Sequence, residues 1–248
     1  MTDPDGHRVL VPVDVLGGEV VPSTIVDAFA SVPVVVLGYH ELPDQTAPDQ
    51  ARSRFAEQAE AELEELRTVF EAAGCEVTTR LAFTHDRFET FERAADESGC
   101  DAVLLLNPAP MLERILVAIR GNVNIGHIAG LVATLLTDTE IDVTLFHVVS
   151  DDGTREQGEE HLEAAASMLV ERGIDHDRID TTVVDGSPTD AILEAAADHD
   201  LLVIGESRPS IRRLIFRDRA ERIAKRTIDP VLIVRGEYLE TGETGSEQ

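Results

Sequence analysis

The chain has 248 residues, enough for one or two domains, and 43% of them are hydrophobic, which excludes a globally disordered polypeptide. Against 21 Lys and Arg stand 48 Asp and Glu, a formal charge of −27 that argues against nucleic acid as a partner, since a phosphate backbone would be repelled over most of the surface. There is no run of about eighteen apolar residues, and the start Met1-Thr2-Asp3-Pro4-Asp5 lacks the basic-then-apolar pattern of a signal peptide, so no membrane insertion and a cytoplasmic location are expected.

Short apolar runs alternate with longer helical patterns. In the first half, strands are predicted near 8–14, 32–39, 76–83 and 102–106, and helices near 22–30, 50–73 and 86–98. In the second half, strands are predicted near 114–119, 142–149, 179–184, 200–204 and 230–234, and helices near 124–137, 156–172, 188–198 and 218–227. The strand runs are nearly continuous in Val, Leu and Ile, as expected of parallel strands covered on both faces. Phe55, Ala59, Leu63, Leu66 and Phe70 recur at helical spacing and give one apolar stripe, and Gly74 and Gly173 stand where helices should end. This alternation implies right-handed βαβ units and doubly wound sheets.

The chain repeats itself at an offset of about 106 residues. Arg8-Val-Leu-Val-Pro-Val-Asp14 returns as Arg114-Ile-Leu-Val-Ala-Ile-Arg120, and Val34-Val-Val-Leu-Gly-Tyr-His40 returns as Val143-Thr-Leu-Phe-His147. Self-similarity at the length of a small domain argues for duplication rather than a solenoid. The halves are unequal, because only Asn107-Pro-Ala-Pro-Met-Leu-Glu113 separates the fourth strand of the first from the start of the second. The expected organisation is a first domain over 1–112 truncated after its fourth strand, a complete second domain over 113–235, and an acidic tail over 236–248 without fixed structure. Cys75 and Cys100 are the only cysteines; each precedes an apolar run and reads as a small packing residue, and no spacing suggests zinc. Lys225 is the only lysine; an acidic, lysine-poor surface fits a halophilic source with a potassium-rich cytoplasm.

Taken together, Val9-Leu-Val-Pro-Val-Asp14, Leu201-Leu-Val-Ile-Gly-Glu-Ser207, and Ala220-Glu-Arg-Ile-Ala-Lys-Arg-Thr227 followed by Asp229-Pro-Val-Leu-Ile-Val-Arg235 resemble a universal stress protein with two tandem domains, over about 8–235. The resemblance implies an α/β fold of strand order 3-2-1-4-5 in each domain and dimerisation through the last strand, here a homodimer through Pro230–Val234. Many members of that family bind ATP through a loop of spaced glycines after the fourth strand. Only Gly205 matches that pattern: the second glycine position falls near Arg208-Pro209, and the third glycine with its hydroxyl corresponds to Arg217-Asp218. Asp218 with Glu221 reads as an N-cap and a first-turn acid, so a carboxylate would occupy the anion site, and a phosphate about 4 Å away would meet a repulsion of about 1–4 kcal/mol. The family's aspartate at the end of the first strand is Arg120 in the second domain; the first keeps it as Asp14 but has no phosphate loop. ATP is therefore disfavoured, and no cofactor is expected.

Two groups of residues are candidates for binding. Between Gly205 and Arg226 lie seven Arg and Lys225 against Glu206, Asp218 and Glu221. Charge pairing with acidic helices accounts for this cluster; alternatively Arg208, Arg212 and Arg213, with Gly205, Ser207 and Asp218 nearby, hold a small anionic ligand. In the first half, the strand ends bring Asp14, Tyr39, His40, His85 and Asn107 to the side where doubly wound sheets bind ligands, and Gly17-Gly18 permits close backbone approach. Asp14 and His40 form a candidate acid–base pair; against this, polar residues commonly end strands, and Asp86 reads as the N-cap of the next helix with Glu89 at its third position. His127, His147, His161, His176 and His199 read as surface or packing residues, and no triad or metal cluster is apparent. The expected function is a non-enzymatic module binding a small ligand or protein partner; the alternative is a nucleotide-binding protein or ATP/AMP-linked enzyme using the strand-end cleft.

Overall fold

Runs of Val, Leu and Ile form the strands, and the segments with helical spacing form the helices. The computed structural model describes residues 6–106, 111–119, 125–149, 153–205 and 230–235, and the chain divides into two compact units, Met1–Leu112 and Glu113–Gln248.

The first unit runs β1 (Val9–Asp14), α1 (Ser23–Ala28), β2 (Val34–Glu41), α2 (Pro48–Ala72), β3 (Val77–Thr84), α3 (Arg87–Ser98) and β4 (Ala102–Leu105). Its strands lie in the order β3-β2-β1-β4 and every described pairing is parallel. Leu10, Val35, Leu37, Tyr39, Phe91, Ala95 and Cys100 close a core between the sheet and α3. Burying a leucine such as Leu10 or Leu37 stabilises the fold by about 1.5–3 kcal/mol.

The second unit runs β5 (Arg114–Ala118), α4 (Ile125–Leu136), β6 (Asp142–Val149), α5 (Arg155–Glu171), a short 3-10 turn at His176–Arg178, β7 (Ile179–Asp185), α6 (Pro188–Ala196), β8 (Leu201–Gly205) and β9 (Val231–Val234). Its order, β7-β6-β5-β8-β9, is 3-2-1-4-5 in the unit's own count, again with parallel pairings. Leu116, Phe146, Ala196, Leu202, Ile204 and Val231 form one of its core clusters.

Local signals explain most boundaries. α2 buries Ala59, Leu63 and Phe70 of the expected stripe, and Gly74 and Gly173 follow their helices with φ of 98° and 91°, a conformation only glycine adopts without strain. Asp86 caps α3 by accepting the N–H groups of Phe88 (2.9 Å) and Glu89 (3.0 Å). The return half of the expected capping box does not form there, because the Asp86 N–H donates to Thr84 Oγ1 (3.1 Å) instead. A complete box forms at the start of α5, between Thr154 and Gln157. β2 runs two residues past the expected end, because His40 and Glu41 continue the ladder against Phe83 and Thr84. Cys75 and Cys100 are buried, and the Cys75 thiol donates to the Phe29 carbonyl at 3.3 Å. The expected helix near 218–227 lies outside the described residues.

Candidate functional site at the strand ends of the first unit

In the first unit the strand order reverses between β1 and β4, and β1 ends on Asp14. Its register with β2 sets Asp14 beside Tyr39, with His40 next along the chain. The Asp14 carboxylate lies 3.2 Å from His40 Nδ1, both side chains 28% exposed, and accepts the Gly17 N–H at 2.9 Å. A Cβ on Gly17 would lie 2.7 Å from that carboxylate, so the close approach in the turn after β1 favours glycine.

The chain then folds back so that the Glu19 carboxylate accepts the Asp14 N–H at 2.7 Å. Burial raises the Glu19 pKa above its ordinary value; the backbone hydrogen bond from Asp14 opposes this, the Asp14 charge adds to it, and Arg87 opposes it. The buried Tyr39 phenol is raised as well, by burial first and then by Glu19, with Arg87 acting the other way through its charge and a hydrogen bond. Arg87, the first residue of α3, sits 4.0 Å from Glu41 and stacks over Phe88 at 4.7 Å. His40 faces Phe55 of α2 edge-on, with ring centroids 6.4 Å apart. The arrangement therefore offers two acceptor carboxylates, one of them with its pKa raised by burial, beside a phenol, an imidazole and one guanidinium.

Of the sequence candidates, the structure brings Asp14 and His40 into contact. His85 Nδ1 lies 3.2 Å from the Leu42 carbonyl and thereby ties the end of β3 to the end of β2. Gly205 ends β8, and a Cβ there would meet Ile128 of α4 at 3.1 Å, which is a packing reason for glycine. Asn107, Arg120, Ser207, Arg208, Arg212, Arg213 and Asp218 lie outside the described residues. Glu19 and Arg87 were not anticipated; the only hint is an acid directly after Gly17-Gly18 and a cation directly after the Asp86 cap. In the second unit, His147 is buried with Nδ1 2.9 Å from the Ile119 carbonyl, and His199 spans the Ala195 carbonyl and Thr144 Oγ1, so both pack the fold. Among the described residues, no helix is long and apolar enough to cross a membrane.

A universal stress protein from Archaeoglobus fulgidus DSM 4304 superposes with a TM-score of 0.59 at 15% identity, covering 94% of this chain and 98% of its own. A functionally unknown protein from Pseudomonas aeruginosa PAO1 superposes at 0.50 with 17% identity, covering 94% of each chain. A universal stress protein solved in complex with cAMP matches 52% of this chain and 99% of its own at 20% identity and a TM-score of 0.39. No curated protein matches the chain by sequence. The likenesses to the Archaeoglobus fulgidus and Pseudomonas aeruginosa proteins speak to the fold; the sequence profile of the Universal stress protein family spans residues 111–235, half of the chain, and on that match the chain belongs to the universal stress protein family.

Proposed function

We propose that this chain is a non-enzymatic, cytoplasmic, tandem-domain universal stress protein from a halophile, and that it binds a small ligand at the strand ends of the first unit without an ATP loop. The gathering of the Glu19 and Asp14 carboxylates at the end of β1, the first on the Asp14 N–H and the second on the Gly17 N–H, carries this reading. Two acceptors beside Tyr39 and His40 suit a ligand that presents hydroxyl or amine donors, such as the sugar of a nucleoside. A polyphosphate about 4 Å from either carboxylate would meet about 1–4 kcal/mol of repulsion per pair at effective dielectrics of 80 to 20. A separate anion site on Arg208, Arg212 and Arg213 stays part of the proposal, and those residues lie outside the described ones.

The test is thermal shift in molar potassium chloride with adenosine, AMP, cAMP and ATP, on the native protein and on Asp14→Asn. A ligand that binds the folded state raises Tm with its concentration over its Kd. Adenosine should stabilise at least as well as ATP, and Asp14→Asn should remove the shift. ATP binding tenfold tighter than adenosine would overturn the reading.

The 3.2 Å contact between Asp14 and His40 favours a second reading, an enzyme in which Asp14 orients His40 as a general base toward a nucleotide-type substrate. Absence of any shift up to millimolar nucleotide would remove it. The proposed homodimer through Pro230–Val234 is best tested by sedimentation of the unaltered protein. Val231 and Leu232 are buried within one chain, so lysine there would probe folding rather than assembly.

A further inference from the structure

Among the described residues β3 pairs only with β2, so one edge of this strand is free. The Val34 N–H donates to the Glu76 carbonyl and the Leu42 N–H to the Thr84 carbonyl, which turns the even-numbered residues of this segment toward β2. Backbone alternation then points the N–H and C=O groups of Leu81 and Phe83 outward, away from β2. Both residues line a cavity of about 210 Å³ at this edge, and Arg52 of α2, Arg80 of β3 and Arg93 of α3 line it too. Arg80 is held by Glu97 and by Ser98 Oγ at 2.9 Å. Among the described residues Arg52 and Arg93 have no ion pair, although the chain holds 48 carboxylate side chains.

We propose that this edge is a docking groove for an acidic extended peptide of a partner protein, which adds to the sheet beside β3 and sets its carboxylates on Arg52 and Arg93. The outward backbone groups supply strand pairing, and the arginines select the side chains. The cavity is smaller than the roughly 300 Å³ at which small-molecule sites usually begin, and it suits one or two peptide side chains. A second copy of this chain is a poor occupant, because pairing β3 with its own copy would set arginine-lined edges against each other. The net charge of −27 does not forbid an acidic partner, since charges beyond a Debye length of about 8 Å at physiological salt are largely screened.

The test is fluorescence anisotropy with an eight-residue peptide in which pairs of glutamates alternate with pairs of valines, so that a carboxylate is presented on the α2 side and on the α3 side of the sheet. It uses the full chain at the lowest potassium chloride concentration at which circular dichroism shows it folded. The same peptide is N-methylated on one or the other set of alternate amides, and a lysine-for-glutamate peptide serves as control. The glutamate peptide should bind, the lysine peptide should bind at least tenfold more weakly, and one N-methylated form should lose at least tenfold while the other does not. Arg52→Glu with Arg93→Glu should also cost at least tenfold; both side chains are exposed, and Arg52→Gln with Arg93→Gln repeats the test should the reversal perturb folding. Equal binding of both N-methylated forms would reduce the groove to an anion site and overturn strand addition. Unchanged affinity in the arginine variants, or no binding at millimolar peptide, would overturn the proposal outright and leave the arginines as guards against edge pairing.

Discussion

The Glu19 carboxylate accepts the Asp14 backbone N–H at 2.7 Å, while the Asp14 carboxylate turns to the Gly17 N–H at 2.9 Å. The loop after β1 thus folds one acid onto the backbone of another. Desolvation lifts the Glu19 pKa, so the folded chain holds that proton more tightly than the unfolded chain does. The resulting stability is fully present below the ordinary value of about 4.5 and is lost as pH rises through the folded value. Glu19→Gln keeps an oxygen for the Asp14 N–H and removes the titration. Its melting temperature should therefore exceed that of the native protein at pH 7 to 8 and converge on it toward pH 4, in melts at fixed high salt. A variant less stable than the native protein across that range would contradict the account.

Gly17→Ala should act on the same site from its other side. The new Cβ would lie 2.7 Å from Asp14 Cγ and Oδ2, and because Asp14 is partly exposed, its carboxylate can swing away. The expected cost is about 1 kcal/mol, the loss of one hydrogen bond with some crowding. Urea denaturation reads the stability, and the His40 imidazole resonances should shift as Asp14 leaves them. Unmoved His40 resonances would show that the Asp14–His40 contact is not held by this turn.

Much of this was legible in the sequence. Parallel buried strands announce themselves by runs such as Val34-Val-Val-Leu, and helices α2 and α3 by their apolar stripe and by the Asp86 cap; here local pattern and tertiary environment agree. Asp14 and His40 could be paired in advance because strand ends in a doubly wound sheet converge on one side. Glu19 could not, since its position depends on the path of an irregular loop, where no periodicity constrains side-chain direction. Arg87 was hidden for a different reason: a cation at a helix start opposes the helix dipole, and its partners, Glu41, Phe88, Tyr39 and Glu19, explain it. The arginine-lined edge was invisible because Arg52, Arg80 and Arg93 are scattered in sequence and meet only when α2, β3 and α3 assemble.

Charge sets the solvent requirement of the whole chain. A formal charge of −27 repels itself in the folded state more than in the expanded one, and salt screens that repulsion. Melting temperature should rise steadily as potassium chloride goes from tenths of molar to about 2 M. Relief of about 3 kcal/mol corresponds to a shift of about 6–12 °C where about 150–250 residues unfold as one, and to a larger shift where the two units melt separately. A flat or falling curve would remove the halophilic reading of the composition.

The second unit solves a packing problem of the first in mirror fashion, and this yields a prediction with an internal control. Pairing of Val9 with Val34 and of Ile115 with Val143 at the starts of the ladders makes Gly38 of β2 equivalent to His147 of β6. Over Gly38 the helix supplies a large side chain, Leu63, 3.2 Å from where a Cβ would sit; over His147 the helix supplies Gly158, whose Cβ would lie 2.6 Å from His147 Cδ2 and 3.2 Å from Val183. Small on the strand meets large on the helix in one unit, and the reverse holds in the other. His147 cannot yield easily, being buried and set against the Ile119 carbonyl. Gly158→Ala should therefore cost about 1–3 kcal/mol, despite the better helix propensity of alanine. His147→Ala alone opens a cavity and should also destabilise, yet the double variant should be more stable than the sum of the two single effects predicts. Double-mutant denaturation measures that coupling, and strict additivity would mean that the close approach of Gly158 to His147 is not what fixes glycine at this position.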